Sequence, residues 1–189
     1  MSDLTFTRSA TSADVRTIQA LVAAGVLRGH LLPRDGDEIR RHLQRWVVAQ
    51  RGDRVVGCLS LEPTEARLWE VRSVCVAEGL RGHGIGGQLV QEALWRGAAA
   101  RIPRLFAVTA AHALFDGAGF SPLPADAPEW AHVLRPVRPC YAVRIADVAA
   151  LVPRPEPAAR PAGPDGFHLA LHAAHLQESG HHGLMALAD

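Results

Sequence analysis

Seven residues near the middle of the chain, Arg81 to Gly87 (RGHGIGG), constrain its fold more than any other stretch. They lie between an apolar strand-like run, Val71 to Val76, and an apolar helix-like run, Gln88 to Ala100. A glycine-dense turn that ends a strand and opens a helix leaves several backbone N–H groups without main-chain acceptors and aims them one way. Such a turn is a cradle for an anion.

Gly82, Gly84 and Gly87 satisfy the spacing GxGxxG, so a dinucleotide has to be weighed as the anion. That reading requires the glycines directly at a strand end, near the first strand of the chain, with an acid closing the next strand to hold a ribose. Here Ala77 to Leu80 intervene, the motif follows a hairpin in mid-chain, and the next strand, RLFAVT, ends without a carboxylate. The nucleotide-oxidoreductase reading is therefore set aside.

Composition narrows the remaining classes. With 189 residues, 48% hydrophobic and 21% charged, the chain suits one well-buried domain with appendages. A net charge of +1 without a basic block speaks against nucleic acid as a partner. No apolar run approaches the roughly 20 residues of a membrane span, and MSDLTFTRS lacks a basic n-region and an apolar h-region. A cytoplasmic protein without a membrane partner is expected. Cys58, Cys75 and Cys140 show no CxxC spacing and read as small buried hydrophobes, not as a zinc or disulfide framework.

Taken in order, Leu4 to Arg8 alternates as a short strand, and Thr11 or Ser12 caps a helix with Val15, Ile18, Leu21 and Val22 at helical spacing. A loop broken by Gly29 and Pro33 precedes a short basic helix over Asp37 to Arg45. Trp46 to Gln50 and Arg54 to Leu61 form a hairpin about the RGD turn, and Arg67 to Val76 is a third strand of that series. The helix after the glycine turn ends by Arg101 and Pro103, Arg104 to Val108 is a compact strand, and Ala110 to Asp116 a short helix. A proline-rich loop from Ser121 to Pro139 leads to a last strand, Tyr141 to Ile145. The folded domain is expected over residues 1–150, ending near Val148. Residues 151–189 form a proline-rich linker and a tail whose His168, His172 and His175 share a side; a solvated tail is preferred to a metal site there.

The segment VCVAEGL followed by R-G-x-G-I-G resembles the acetyl-CoA signature of the GNAT superfamily of N-acetyltransferases, and Gly119 and Phe120 resemble its later GF pair. The resemblance implies an α/β fold with a central mixed, mostly antiparallel sheet of six to seven strands flanked by about four helices. It implies acetyl-CoA as cosubstrate and no metal. Val74, Cys75 and Val76 would line the pantetheine arm, and Arg81, Gly82, His83, Gly84, Ile85, Gly86 and Gly87 would hold the pyrophosphate. An amine is mostly protonated at neutral pH, so a base must be reachable directly or through a water. Glu70, on the strand carrying the cofactor contacts, is the candidate, and a backbone N–H near Ser73 or Val74 would meet the oxyanion. Where the family often has a tyrosine to protonate the thiolate, this chain has Phe115.

Beyond the superfamily, LLPRDGDEIRRHL, WEVRSVCV, RLFAVTAAHALFDGAGF, LPADAPEW and VRPCYAV resemble the acetyltransferase domain of bacterial N-acetylglutamate synthases, in their short, single-domain form. By that resemblance Arg34 and Arg138 clamp the substrate carboxylates, Cys140 assists them, and Thr109 protonates the thiolate. Arginine forks suit carboxylates physically, whereas a polyamine or aminoglycoside pocket would need acids. The expected activity is acetylation of the α-amine of an amino acid, glutamate first, as in arginine biosynthesis. Glutamine, another small amine or a protein amine, a non-catalytic acyl-CoA-binding module, and a homodimer stay open.

Overall fold

The computed structural model describes residues 4–64, 67–133 and 141–152. The opening alternation forms β1 (Thr5–Ser9), and α1 (Val15–Leu27) buries Val15, Ile18 and Val22 along one stripe. The entry to α1 is fixed by a capping box, in which the Asp14 carboxylate accepts from the Thr11 N–H at 2.7 Å and the Thr11 hydroxyl at 2.9 Å. The expected basic helix is shorter than Asp37 to Arg45: α2 (Gly36–Arg41) ends where His42 leaves helical geometry, and Leu43–Arg45 form a 3-10 turn. Ile39 is the residue of α2 that is buried, which gives that helix little apolar surface to extend on.

β2 (Trp46–Arg51) and β3 (Arg54–Pro63) make the expected hairpin, turned by Gly52 at φ 60°. β4 (Leu68–Val76) continues the meander, and α3 (Ile85–Ala99) follows the glycine turn. β5 (Arg104–Thr109), α4 (His112–Asp116), β6 (Ser121–Pro122), β7 (Ala142–Asp147) and α5 (Val148–Leu151) complete the described chain. The seven strands run in the order β1-β2-β3-β4-β5-β7-β6. All pairs are antiparallel except β4 with β5, because the α3 crossover returns the chain in the same direction.

Two short elements were not expected. β6 lies inside the proline-rich loop, where Pro122 sits at a sheet edge that needs no ladder donor from it. α5 follows β7 because the Asp147 carboxylate accepts from the N–H groups of Ala149 and Ala150, and Val148 closes into the core. The expected domain end near Val148 thus falls inside a packed helix. The tail carrying His168, His172 and His175 lies outside the described residues.

The sheet separates two apolar layers. α3 packs on one face over Val47, Ala49, Leu59, Leu61, Val71 and Leu105. α1 and α2 pack on the other over Trp46, Val48, Cys58 and Cys75, beside a third cluster of Leu68, Phe106, Val143 and Ile145. Alternating strand residues supply the two faces, which is why the strands read as nearly continuous apolar runs.

Candidate active site

β4 and β5 pair only from Leu68 to Glu70 against Arg104 to Phe106. Beyond that point β4 stays with β3 as far as Val76, and β5 stays with β7 as far as Thr109, so the two central strands part. The divergence coincides with Ser73, a non-glycine residue at φ 53°, where the β3 register shifts between Cys58 and Ser60. One extra residue in β4 inverts its alternation. Trp69 and Val71 pack toward α3 before it, Val74 and Val76 after it, and Cys75 turns to the α1 face with Cys58.

Between the parted strands lies a cavity of about 710 Å³. Val71 to Val76 of β4 form one wall, Ala107 to Thr109 of β5 another, and the loop after α1, with Gly29 to Leu32 and Arg34, closes an end. The β4 backbone facing the gap has no β5 partner there, so an extended amide-bearing chain can add to it as a strand would.

The glycine turn stands at the other end. Gly82 and Gly84 occupy the left-handed region at φ 78° and 77°, where a side chain would strain the backbone. The Gln88 N–H makes its helical bond to Gly84 O at 3.0 Å, so the N–H groups of Ile85, Gly86 and Gly87 precede the first intrahelical acceptor of a 15-residue helix. Together with Arg81, which lines the cavity, they present the donors and dipole a pyrophosphate needs. Of the turn residues expected to hold it, Arg81 and Gly86 line the cavity, and Gly82, His83, Gly84, Ile85 and Gly87 do not.

At the loop end, Arg34 is half-buried, its side chain 9% exposed, and lines the cavity. Its guanidinium pairs with Glu38, while Nη2 lies 3.6 Å from Glu62 and has no hydrogen-bond acceptor. Glu62 is engaged by Arg45 at 2.9 Å. Glu70 stands opposite Glu62 across the β3–β4 ladder, paired with Arg72 at 3.7 Å. Glu70 itself does not line the cavity: it belongs to the last β4 residue pair still joined to β5, one position before the wall begins at Val71. Its side chain keeps 12% exposure.

Thr109 closes β5, is buried and lines the cavity. Its oxygen accepts from the Ala111 N–H at 2.9 Å, which leaves the hydroxyl hydrogen to donate elsewhere. Phe115 is core, edge-on to Phe120 at 5.1 Å, and cannot donate a proton. Val74, Cys75 and Val76 all line the cavity. The Cys75 thiol, beside Cys58 and near Arg81 and Arg28, is held below the usual thiol range, and Cys58 is pushed up by its neighbour Cys75 and by burial. Arg138 and Cys140 lie outside the described residues. Arg72, His30 and Tyr141 line the cavity without having been singled out in the sequence; Tyr141 carried one signal, being the sole tyrosine of the chain. Among the described residues no three His, Cys, Asp or Glu side chains are grouped to hold a metal, and no helix is long and apolar enough to cross a membrane.

A parted β4–β5 pair with a glycine cradle at the following helix defines the GNAT class of fold. Residues 42–122 match the family model described as an acetyltransferase (GNAT) domain. An uncharacterized N-acetyltransferase of Chlorobaculum tepidum is 33% identical over 89 residues, 47% of this chain and 57% of that protein. The chain thus spans a little over half the length of that curated relative. Among solved structures, Rv2747 from Mycobacterium tuberculosis, in complex with CoA and NLQ, is 24% identical with a TM-score of 0.64, over 75% of this chain and 98% of that one. N-acetylglutamate synthase from Neisseria gonorrhoeae, complexed with coenzyme A and N-acetyl-glutamate, is 21% identical with a TM-score of 0.66, over 78% of this chain and 36% of that one.

Proposed function

We propose that the protein transfers an acetyl group from acetyl-CoA to the α-amine of a small carboxylate-bearing acceptor, with glutamate the first candidate. One observation carries the acceptor class: among the described residues, Arg34 and Arg72 line the cavity near the Glu70 end of β4, and no Asp or Glu lines it at all. A buried guanidinium nitrogen without a hydrogen-bond acceptor is costly, and a substrate carboxylate supplies what Arg34 Nη2 lacks. The likeness to a synthase complexed with N-acetyl-glutamate agrees with that acceptor.

In this reading the pyrophosphate rests on the α3 N-terminus and the pantetheine arm extends along Val74 to Val76. Arg34 and Arg72 orient the acceptor carboxylates, with Arg138 and Cys140 assisting. Glu70 takes the amine proton through a water, the amine attacks the thioester carbonyl, and a β4 N–H near Ser73 or Val74 receives the oxyanion. Collapse expels the thiolate, which Thr109 protonates.

The test is free-CoA release from acetyl-CoA with each amino acid in turn. Release with glutamate is expected, and tight CoA binding without turnover on any amino acid would remove the reading. Arg34→Ala should raise the acceptor KM on the order of 10- to 100-fold while leaving acetyl-CoA affinity within about 2-fold. Glu70→Gln should lower kcat by at least about 100-fold near neutral pH, the deficit shrinking as the amine loses its own proton at higher pH. An unchanged pH profile takes Glu70 out of the base role.

A further inference from the structure

The two halves that part at Ser73 are joined again at the mouth of the cavity. Tyr141, immediately before β7, sends its phenol across to the loop between α1 and α2, 2.9 Å from His30 O and 3.2 Å from Gly29 O. The single phenolic hydrogen is shared between these carbonyls. Tyr141, Gly29 and His30 all line the cavity, and so does Arg34 at the far end of the same loop. At its start the loop is held by the Gly29 and His30 N–H groups on Val26 O and Gly25 O, at 2.8 and 3.1 Å. At its end Arg34 pairs with Glu38 of α2. Both of those ties belong to the α1–α2 side, whereas Tyr141 belongs to the β5–β7 half. Its neighbour Ala142 is the ladder partner of Thr109.

We propose that Tyr141 is a positioning residue, a latch from β7 that holds the α1–α2 loop over the cavity and so fixes where Arg34 meets the acceptor. The phenol is not the group that protonates the thiolate, because its hydrogen is engaged by the loop carbonyls. Its effect reaches the acceptor through the loop, while the start of the loop keeps its own tie toward the cofactor end of β4, Arg28 pairing with Glu78 ahead of the glycine turn. The kinetic part of this inference rests on the acetyl-transfer reading; the structural part does not.

Tyr141→Phe in the full chain keeps the ring and deletes the latch. Loss of one such hydrogen bond should raise the acceptor KM by about 5- to 10-fold. The acetyl-CoA Kd and kcat should stay within about 2-fold. Amide hydrogen exchange over residues 28–34 should quicken by a similar factor, with α3 and the central strands unchanged. Exchange in the loop that does not change overturns the latch, whatever the kinetics show. An acetyl-CoA Kd that rises in parallel with the acceptor KM overturns the positioning role in favour of a general structural one. A kcat loss above about 100-fold with a displaced alkaline limb of the pH profile also overturns it, since the phenol would then be the proton donor. If the unaltered protein turns over no amino acid, the acetyl-transfer reading falls, and the exchange measurement still decides the latch.

Discussion

Asp14 shows how much one side chain can hold when its charge is matched on several sides. The Arg8 guanidinium grips both of its oxygens, at 2.7 and 2.9 Å, and the Thr11 N–H and hydroxyl add two further donors, so its carboxyl is lowered to about 2. Because the folded value lies below the unfolded one of 3.8, the stabilisation is fully present above about pH 4 and is lost as the pH falls through 2. Its size is about 2 kcal/mol. Asp14→Asn should lose about that much in urea unfolding at pH 7, with the gap to the unaltered protein closing toward pH 2. A gap that stays constant with pH would assign the loss to packing. Arg34 presents the contrary case: its Nη2 is buried without a hydrogen-bond acceptor, Glu62 lying 3.6 Å away, and the acceptor carboxylate is the partner proposed for it. The sequence could name Arg34, Glu70 and Thr109 as candidates. It could not tell that Arg34 and Thr109 line the cavity while Glu70 stops one residue short of it.

At the scale of the element, the glycine turn and β4 carry the site together. The turn was legible because it depends on local backbone freedom, and Gly84 illustrates it: φ is 77° and a Cβ would meet nothing within 4 Å. Gly84→Val should therefore cost about 1–2 kcal/mol through backbone strain alone and weaken CoA binding as the cradle distorts. Gly87→Ala, inside the helix and equally open, should leave the fold as stable or raise it by up to about 1 kcal/mol, as read by denaturant midpoints. Equal losses from both would show that the turn matters by packing. The bulge in β4 was not legible. WEVRSVCV reads as one strand with an ordinary alternation, and nothing in the residue types announces that Ser73 adopts φ 53°. The consequences are large, since the bulge sets which of Val74, Cys75 and Val76 faces which layer.

For the whole molecule, the decisive feature is a sheet that parts in its middle and is tied twice. The short parallel pairing of β4 with β5 joins the halves at one end, and the Tyr141 contact with the α1–α2 loop joins them at the other. Tyr141→Phe belongs to this scale, because it releases one tie without touching a strand. By itself the sequence determined the main strands and helices as far as α4, the hairpin, the capping of the first helix and the glycine turn. These follow from side-chain periodicity and from the dihedral preferences of glycine and proline, which act over a few residues. Only the tertiary structure decided where β4 leaves β5, that Glu62 faces Glu70 with Arg34, Arg45 and Arg72 balancing them, and that residue 141 reaches residues 29 and 30. Those relations join positions far apart in the chain, and their geometry is set by packing and by ion pairing, which no local run of residues encodes.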